Sequence, residues 1–200
     1  KDVMKMAAIA GLDLPAGKTV ELKPGENIAL IGNGTADRMQ HHGWLETLIQ
    51  HRFPKHELVI RNLGYAADEV AHRPREQNFG SPDAHLTHSK ADVIFAFFGY
   101  NESFNGDPNG FRKQLEAFLD HTAKQKYNGT SAPRVVLFSP IAHENLHSLH
   151  LPDGKENNVR LALYTKVIAE VAAARKVPYV DLFQPTQQLF AKAKSPLTLN

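Results

Sequence analysis

Short apolar runs alternate along the chain with segments in which apolar residues recur at helical spacing. The runs predict β-strands at 27–32, 58–60, 92–98, 135–138 and 177–182. The third run stays apolar from Val93 to Phe98 without a polar alternation, which is typical of a strand covered on both faces. The pattern therefore predicts a parallel sheet in which this strand is central.

The segments between the strands predict helices at 35–52, 155–175 and 184–194, and a further helix follows the third strand. Three of these helices show an apolar stripe. The stripe of 35–52 is Leu45, Leu48, Ile49 and Phe53, and that of the helix after the third strand is Phe111, Leu115, Phe118, Leu119 and Thr122. The stripe of 155–175 is Val159, Leu163, Val167, Ile168 and Val171. Trp44 and Phe111 are expected in the core. Residues 65–90 are polar and proline-rich, which predicts a long surface loop with at most short helices.

The regular alternation of strands and helices predicts an α/β fold. A five-stranded parallel sheet should lie between two helical layers, as a three-layer α/β/α sandwich with a flavodoxin-like strand order. At 200 residues the chain is expected to form one domain. We predict that residues 26–200 form this domain and that 1–25 are an N-terminal extension or linker, with a possible edge strand at 19–22.

Composition excludes several classes of function. The net charge is +2 and no run of Lys and Arg exceeds two residues, which argues against a nucleic-acid partner. The chain has no Cys, so disulfides, thiolate metal ligands and a cysteine nucleophile are excluded. No apolar stretch approaches the roughly 20 residues that a membrane-spanning helix needs.

Small or amide residues follow each of the first three predicted strands. The three turns are Gly32-Asn33-Gly34, Asn62-Leu63-Gly64 and Gly99-Tyr100-Asn101. The carboxyl ends of parallel strands lie at one edge of the sheet, which is where open α/β sheets bind ligands. The order and spacing of the turns resemble the SGNH (GDSL-type) hydrolase superfamily, over nearly all of 26–200.

The resemblance implies acyl transfer, in which a Ser after the first strand attacks an ester carbonyl and a His takes its proton. It also implies that the Gly64 N–H and the Asn101 side-chain amide donate to the developing oxyanion. The resemblance further implies a carbohydrate or other small-molecule ester as partner, a larger multidomain parent protein, and an extracytoplasmic location. The candidate substrate contacts are Asn33, Gly34, Glu102 and His143.

Two departures from the family pattern leave the activity open. The nucleophile position is Gly34, which has no hydroxyl; Thr35 carries one but is expected to cap the following helix. The chain ends at Asn200 without the Asp-x-x-His block. One hypothesis is an esterase whose last block lies in a longer parent, with Thr35 as a weak candidate nucleophile. The other is a non-catalytic relative that binds a carbohydrate or acyl ligand, or a protein partner.

Three further patterns have simpler interpretations. Residues 143–147 spell H-E-x-x-H, but zinc binding by this motif needs both His on one helix. The segment shows no amphipathic run that would predict a helix, so no metal is expected. That His143 acts as a stand-in base stays a hypothesis. The first turn half-matches the dinucleotide motif, but Asp37 replaces its third Gly, so no cofactor is expected. Arg73 and Arg75 either contact an anionic substrate or are solvated, and we favour solvation.

Overall fold

The computed structural model describes residues 20–75 and 78–198. The strands within these residues are β1 (Asn27–Gly32), β2 (Val59–Asn62), β3 (Val93–Phe97), β4 (Arg134–Phe138) and β5 (Tyr179–Val180). The α-helices are α1 (Gly34–Met39), α2 (Trp44–Arg52), α3 (Pro82–His88), α4 (Pro108–Thr122), α5 (Lys155–Arg175) and α6 (Phe183–Lys192), and a 3-10 helix spans Asn101–Asn105.

All strand pairs are parallel, and their order across the sheet is β2-β1-β3-β4-β5. Every residue of β3 is buried, as its unbroken apolar sequence predicts. The α/β fold class and the flavodoxin-like order are therefore confirmed. The order reverses between β1 and β3, and such a switch point opens a crevice at the carboxyl ends of the two strands.

A hydrophobic cluster covers each face of the sheet. One cluster joins β1, β3 and β4 to α3, α4 and α5, through residues that include Leu86, Phe111, Leu115, Tyr164 and Ile168. The other joins the alternate strand residues to α1 and α2, through Ala36, Leu45 and Ile49. Since neighbouring strand residues point to opposite faces, the continuous apolar runs fill both clusters.

The predicted helix at 35–52 is in fact two helices. Gly43 adopts a left-handed conformation with φ 61°, which separates α1 from α2. Trp44, which begins α2, is 72% exposed, so its prediction as a core residue was wrong, whereas Phe111 is buried. Leu48 is also largely exposed, which leaves α2 partly buried through the rest of its stripe.

Other differences lie at the sheet edge and on α5. The fifth strand is two residues long rather than six. The expected edge strand does not form in its described part, 20–22, and Thr19 and residues 1–18 lie outside the described residues. Helix α5 has the predicted bounds, but Val159 and Leu163 are exposed because the buried face begins with Leu161 and Tyr164. No helix of the described residues is both long and apolar enough to cross a bilayer.

Candidate functional site

The turn after β1 is fixed to the end of β3. The Asn33 N–H donates to the Phe97 carbonyl at 3.1 Å. Gly32 has φ 130°, and a Cβ at this position would lie 2.1 Å from the same carbonyl oxygen. Only glycine fits both the backbone angle and the space, so Gly32 sets the path of the elbow.

Asn33 then caps α1. Its Oδ1 accepts the Thr35 N–H at 3.4 Å, and its backbone carbonyl accepts the Asp37 N–H at 3.0 Å. The prediction that Thr35 caps this helix was therefore wrong, since Thr35 lies inside its first turn. Asn33 is buried, and its Nδ2 has no hydrogen-bond partner among the described residues. A buried donor without an acceptor is uncommon in proteins.

Gly34, which the family resemblance predicts to be the nucleophile position, is the first residue of α1. A Cβ built there would meet no atom within 4 Å, and the residue does not adopt the left-handed conformation. The backbone therefore accepts a side chain at Gly34, and open space lies where a serine hydroxyl would stand.

Gly64 lies against the same elbow. A Cβ on Gly64 would come within 2.7 Å of both Ala36 Cβ and the Asp37 nitrogen, and the next residue, Tyr65, donates its N–H to the Gly32 carbonyl at 2.9 Å. The structure thus brings the first and second turns into contact. The Gly64 N–H itself donates to Asn62 Oδ1 at 2.9 Å.

Asn101 joins the third turn to the loop after β2. Its Nδ2 donates to the Ala66 carbonyl at 2.9 Å and to the Asp68 carbonyl at 3.0 Å. A side-chain amide has two N–H donors, so both are occupied. The three turns therefore meet at one edge, while the donors predicted at Gly64 and Asn101 are held by acceptors of the chain. Their oxyanion role stays a prediction that requires displacement of those acceptors.

Glu102 is buried beside Asn101. Its two carboxylate oxygens accept the N–H groups of Val70 and Gly99, each at 2.8 Å. Burial raises the pKa of the Glu102 carboxyl, although the hydrogen bonds from the backbone lower it. Both oxygens are directed at the backbone, so Glu102 fixes the loop after β2 to the end of β3. Its predicted substrate contact would need those bonds to open.

His143 follows β4, in a segment without helical structure at 141–148. Because H-E-x-x-H binds zinc only from one face of a helix, this segment lacks the geometry of that pattern. The described residues contain no group of three or more His, Cys, Asp and Glu arranged to hold a metal ion. His143 is 8% exposed, and a Cβ on Gly154 would touch its ring at 2.5 Å, so the loop before α5 covers it.

The hydrogen bonds around His143 favour one tautomer of its neutral ring. The Arg160 guanidinium, which can only donate, binds Asn157 Oδ1. Asn157 Nδ2 therefore faces His143 Nδ1, at 2.9 Å, and Nδ1 is the acceptor. In the neutral ring the proton then lies on Nε2, which is buried and has no partner among the described residues. This arrangement makes His143 a donor at Nε2, and a stand-in base would need the other tautomer.

Glu144 holds a segment from the end of the described chain. Its Oε2 accepts the Thr198 N–H and hydroxyl, each at 2.7 Å, and its oxygens accept the Leu197 N–H at 2.9 Å. Burial acts to raise the pKa of Glu144, but the hydrogen bonds from Thr198 and Leu197 outweigh it and hold the pKa below its ordinary value. The Glu of the apparent zinc motif is therefore a structural clamp.

Sequence reasoning missed Asn62, Asn157 and Glu144 as organising residues. Asn62 carried a signal, because an Asn two residues before a Gly commonly accepts from the backbone of its own turn. Asn157 and Glu144 act on partners 14 and more than 50 residues away, respectively. No local pattern marks contacts of that kind.

The sequence profile of the GDSL-like Lipase/Acylhydrolase family matches residues 30–198 of this chain. The chain belongs to this family. The match includes the turns after β1, β2 and β3 and the segment held by Glu144. The comparison with curated proteins gives no match.

Solved structures of several enzymes share the fold. A catalytic mutant of Axe2, an acetylxylan esterase from Geobacillus stearothermophilus, has a TM-score of 0.66 at 13% identity, over 87% of this chain and 84% of that one. LAE5, an alpha/beta hydrolase from the metagenome of Lake Arreo, Spain, has a TM-score of 0.65 at 16% identity, over 90% and 86%. BT4096, a gut microbial diltiazem-metabolizing enzyme, has a TM-score of 0.61 at 19% identity, over 89% and 42%.

Proposed function

We propose that this GDSL-family domain binds small acyl esters, acetylated carbohydrate first among them, and does not hydrolyse them through a serine. The binding edge is the one formed by the turns after β1, β2 and β3. The observation that carries the proposal is Gly34, which leaves open space instead of a hydroxyl at the elbow. The acetylxylan esterase among the structural neighbours supports the choice of ligand.

The hydrogen bonds of the edge support binding without turnover. An oxyanion hole stabilises a transition state only if its donors point at the developing charge. Here the Gly64 N–H and the Asn101 amide are already bound to Asn62 and to the loop carbonyls of Ala66 and Asp68. The Nδ1 atom of His143 is occupied by Asn157, and the tautomer that this contact favours carries the proton on Nε2, which does not suit a base.

The test compares binding and turnover in the same protein. Titration of the chain with an acetylated xylo-oligosaccharide should give saturable binding, while acetate release stays at the rate of the buffer. The matched variant is Gly34→Ala, which fills the open space with one methyl group and should weaken binding. Acetate release by the unaltered chain, or binding that Gly34→Ala leaves unchanged, would contradict the proposal.

A second candidate function is hydrolysis of the same esters, with the Gly64 N–H and the Asn101 amide as oxyanion donors. The specific observation in its favour is the contact of the three turns, since Gly64 packs on α1 and Asn101 binds the loop that follows Gly64. Thr35, half-buried in the first turn of α1, is then the candidate nucleophile.

Turnover of p-nitrophenyl acetate separates the two candidates. Hydrolysis by this route requires that Thr35→Val, which removes the hydroxyl at nearly constant volume, abolishes turnover. Asn101→Ala should lower the rate by about 10² to 10³ if its amide is an oxyanion donor. An exposed control, Ser131→Ala, should leave the rate unchanged. Absence of turnover above the buffer rate removes this candidate.

A further inference from the structure

A cavity of about 560 Å³ lies between α3, α4 and the loop that follows β2. Its wall reaches the ends of β1 and β2 at Ile31 and Asn62, on the face of the sheet that carries α4. The lining described includes neither Gly34 nor any of Gly64, Asn101 and His143. Its volume falls within the roughly 300 to 1,000 Å³ typical of sites for small ligands.

Most of the wall is apolar. Loop residues contribute Leu63, Val70 and Phe79, while Leu86 of α3 and Phe118 of α4 complete the apolar lining. Val70 and Leu86 are buried in the core cluster, so this part of the wall is fixed by packing. A wall of this kind favours a ligand with an aliphatic or aromatic body.

Arg75 places a positive charge on this wall. Its guanidinium lies 4.4 Å from the centroid of the Tyr65 ring and 5.4 Å from that of Phe79, and its Nη2 donates to the Leu63 carbonyl at 3.1 Å. Within 20–75 and 78–198 Arg75 forms no ion pair, whereas Arg73 pairs with Asp68 at 3.2 Å. Arg75 is thus a half-buried, oriented cation with free N–H donors, and not the fully solvated side chain that the sequence favoured.

The carboxylates on the wall already have donors within the protein. Asp83 accepts from the Tyr127 hydroxyl and from His121 Nε2, the latter at 2.7 Å. Asp68 is paired with Arg73. The Arg73 guanidinium offsets the charge of Asp68, and the Asp83 oxygens are occupied by the donors of Tyr127 and His121, so neither carboxylate forms an ion pair with Arg75 within the described residues.

We propose that this cavity binds a small monocarboxylate with an apolar aliphatic or aromatic body. The guanidinium of Arg75 presents a planar fork that matches a carboxylate through two parallel N–H bonds. A neutral ligand would leave those donors unpaired, and a doubly charged phosphate ester would meet a single arginine. The apolar body packs against Val70, Leu86 and Phe118.

The probes that test this site are octanoate and 1-octanol, which share a chain and differ in charge. Calorimetric titration of the whole chain should give octanoate an affinity about tenfold or more above that of 1-octanol, since hydrogen bonds to charged groups are strong. Arg75→Gln should remove that advantage and leave the affinity for 1-octanol unchanged. The matched control is Arg61→Gln, which alters an exposed arginine of β2 outside the cavity.

A second variant tests the cavity independently of Arg75. Ala117→Phe places a ring in the lining of α4 and should weaken the binding of both probes. Thermal unfolding of each variant establishes that it is folded, and Arg75→Lys replaces Arg75→Gln if the latter unfolds, with a smaller loss of octanoate affinity expected. No octanoate binding by the unaltered chain, equal affinity for the two probes, or unchanged octanoate binding in Ala117→Phe overturns the proposal.

Discussion

The turns after β1, β2 and β3 form one region of the carboxyl edge of the sheet, and the loop after β4 forms a second, but different contacts hold the two regions. In the first region the partners come from the same turn, as in the bond from Gly64 to Asn62, or from a neighbouring one, as in the bond from Asn101 to Ala66. In the loop after β4 the partners come from α5 and from the end of the described chain, through Asn157 and Thr198. The turns of the first region bind one another, whereas the loop after β4 binds segments that lie outside these turns.

This difference bears on our proposal that the domain keeps a hydrolase fold without serine chemistry. In the first region Gly32 and Gly64 leave no room for a Cβ, and Glu102 accepts two backbone N–H groups, so none of these contacts involves a side chain at position 34. Gly34 is the position in the same elbow where nothing packs. The backbone therefore has room for a side chain at Gly34, the position that the family resemblance predicts for the nucleophile.

The largest expected effect is that of Gly32→Ala in the first region. The new Cβ would overlap the Phe97 carbonyl in a backbone conformation that alanine rarely adopts, so pairing of β1 with β3 must shift. We expect a loss of roughly 3 kcal/mol or more in the free energy of unfolding, measured by urea denaturation. A loss below about 1 kcal/mol would show that the elbow is not fixed as described.

Glu102→Ala should have the next largest effect. It leaves the N–H groups of Val70 and Gly99 buried without acceptors, at a cost of about 1 to 3 kcal/mol for each unsatisfied donor. The control is Glu46→Ala, which removes an exposed carboxylate of α2. If the two variants unfold at the same urea concentration, Glu102 does not join the turns.

Glu144→Gln tests the clamp in the second region through pH. The pKa of Glu144 is lowered in the folded chain, so the ionised form stabilises folding above its unfolded pKa, near the ordinary 4.5, and this stabilisation is lost as the pH falls through the folded value. We expect hydrogen exchange at Leu197 and Thr198 to be faster in Glu144→Gln at pH 7. The difference from the unaltered chain should vanish at low pH. A difference that persists in acid would contradict the charged clamp.

The smallest expected effect is that of Gly34→Ala on stability. The added methyl group meets no neighbour, and alanine restricts the unfolded chain more than glycine does. Stability should rise by about 0.4 to 1 kcal/mol, in contrast to the loss in Gly32→Ala two residues away. Strong destabilisation would show that the space beside Gly34 is not open.

The fold was predictable because its signals are local. The apolar run of β3 and the stripe of α4 each identified an element, and the order of turns at Gly34, Gly64 and Asn101 indicated the family. The break at Gly43 was missed because the stripe that predicted the helix, Leu45 to Phe53, lies entirely after it and does not test the continuity of 35–44. Trp44 was misplaced because apolar character alone does not tell which face of a short helix meets the core.

The hydrogen bonds of the candidate site were less predictable than its location. The sequence places Asn101 at the edge, but it does not show that the amide is bound to two loop carbonyls. Likewise, the tautomer of His143 depends on Arg160 acting through Asn157, a contact across 14 residues of sequence that only folding creates. Such long-range pairs have no sequence period that would reveal them.

The central claim is that Gly34 occupies the reactive position of a site whose nucleophile is missing. The chain has no Cys, so Gly34→Cys gives a protein with one thiol at the start of α1, and a helix N-terminus lowers a thiol pKa. The control is Ser131→Cys, which places the thiol on an exposed turn. The measurement is transfer of the acetyl group from p-nitrophenyl acetate to the thiol, followed by mass spectrometry at increasing ester concentration. We predict that Gly34→Cys is acetylated faster than the control and that its rate saturates with ester concentration. Equal rates that rise linearly in both variants would contradict the claim.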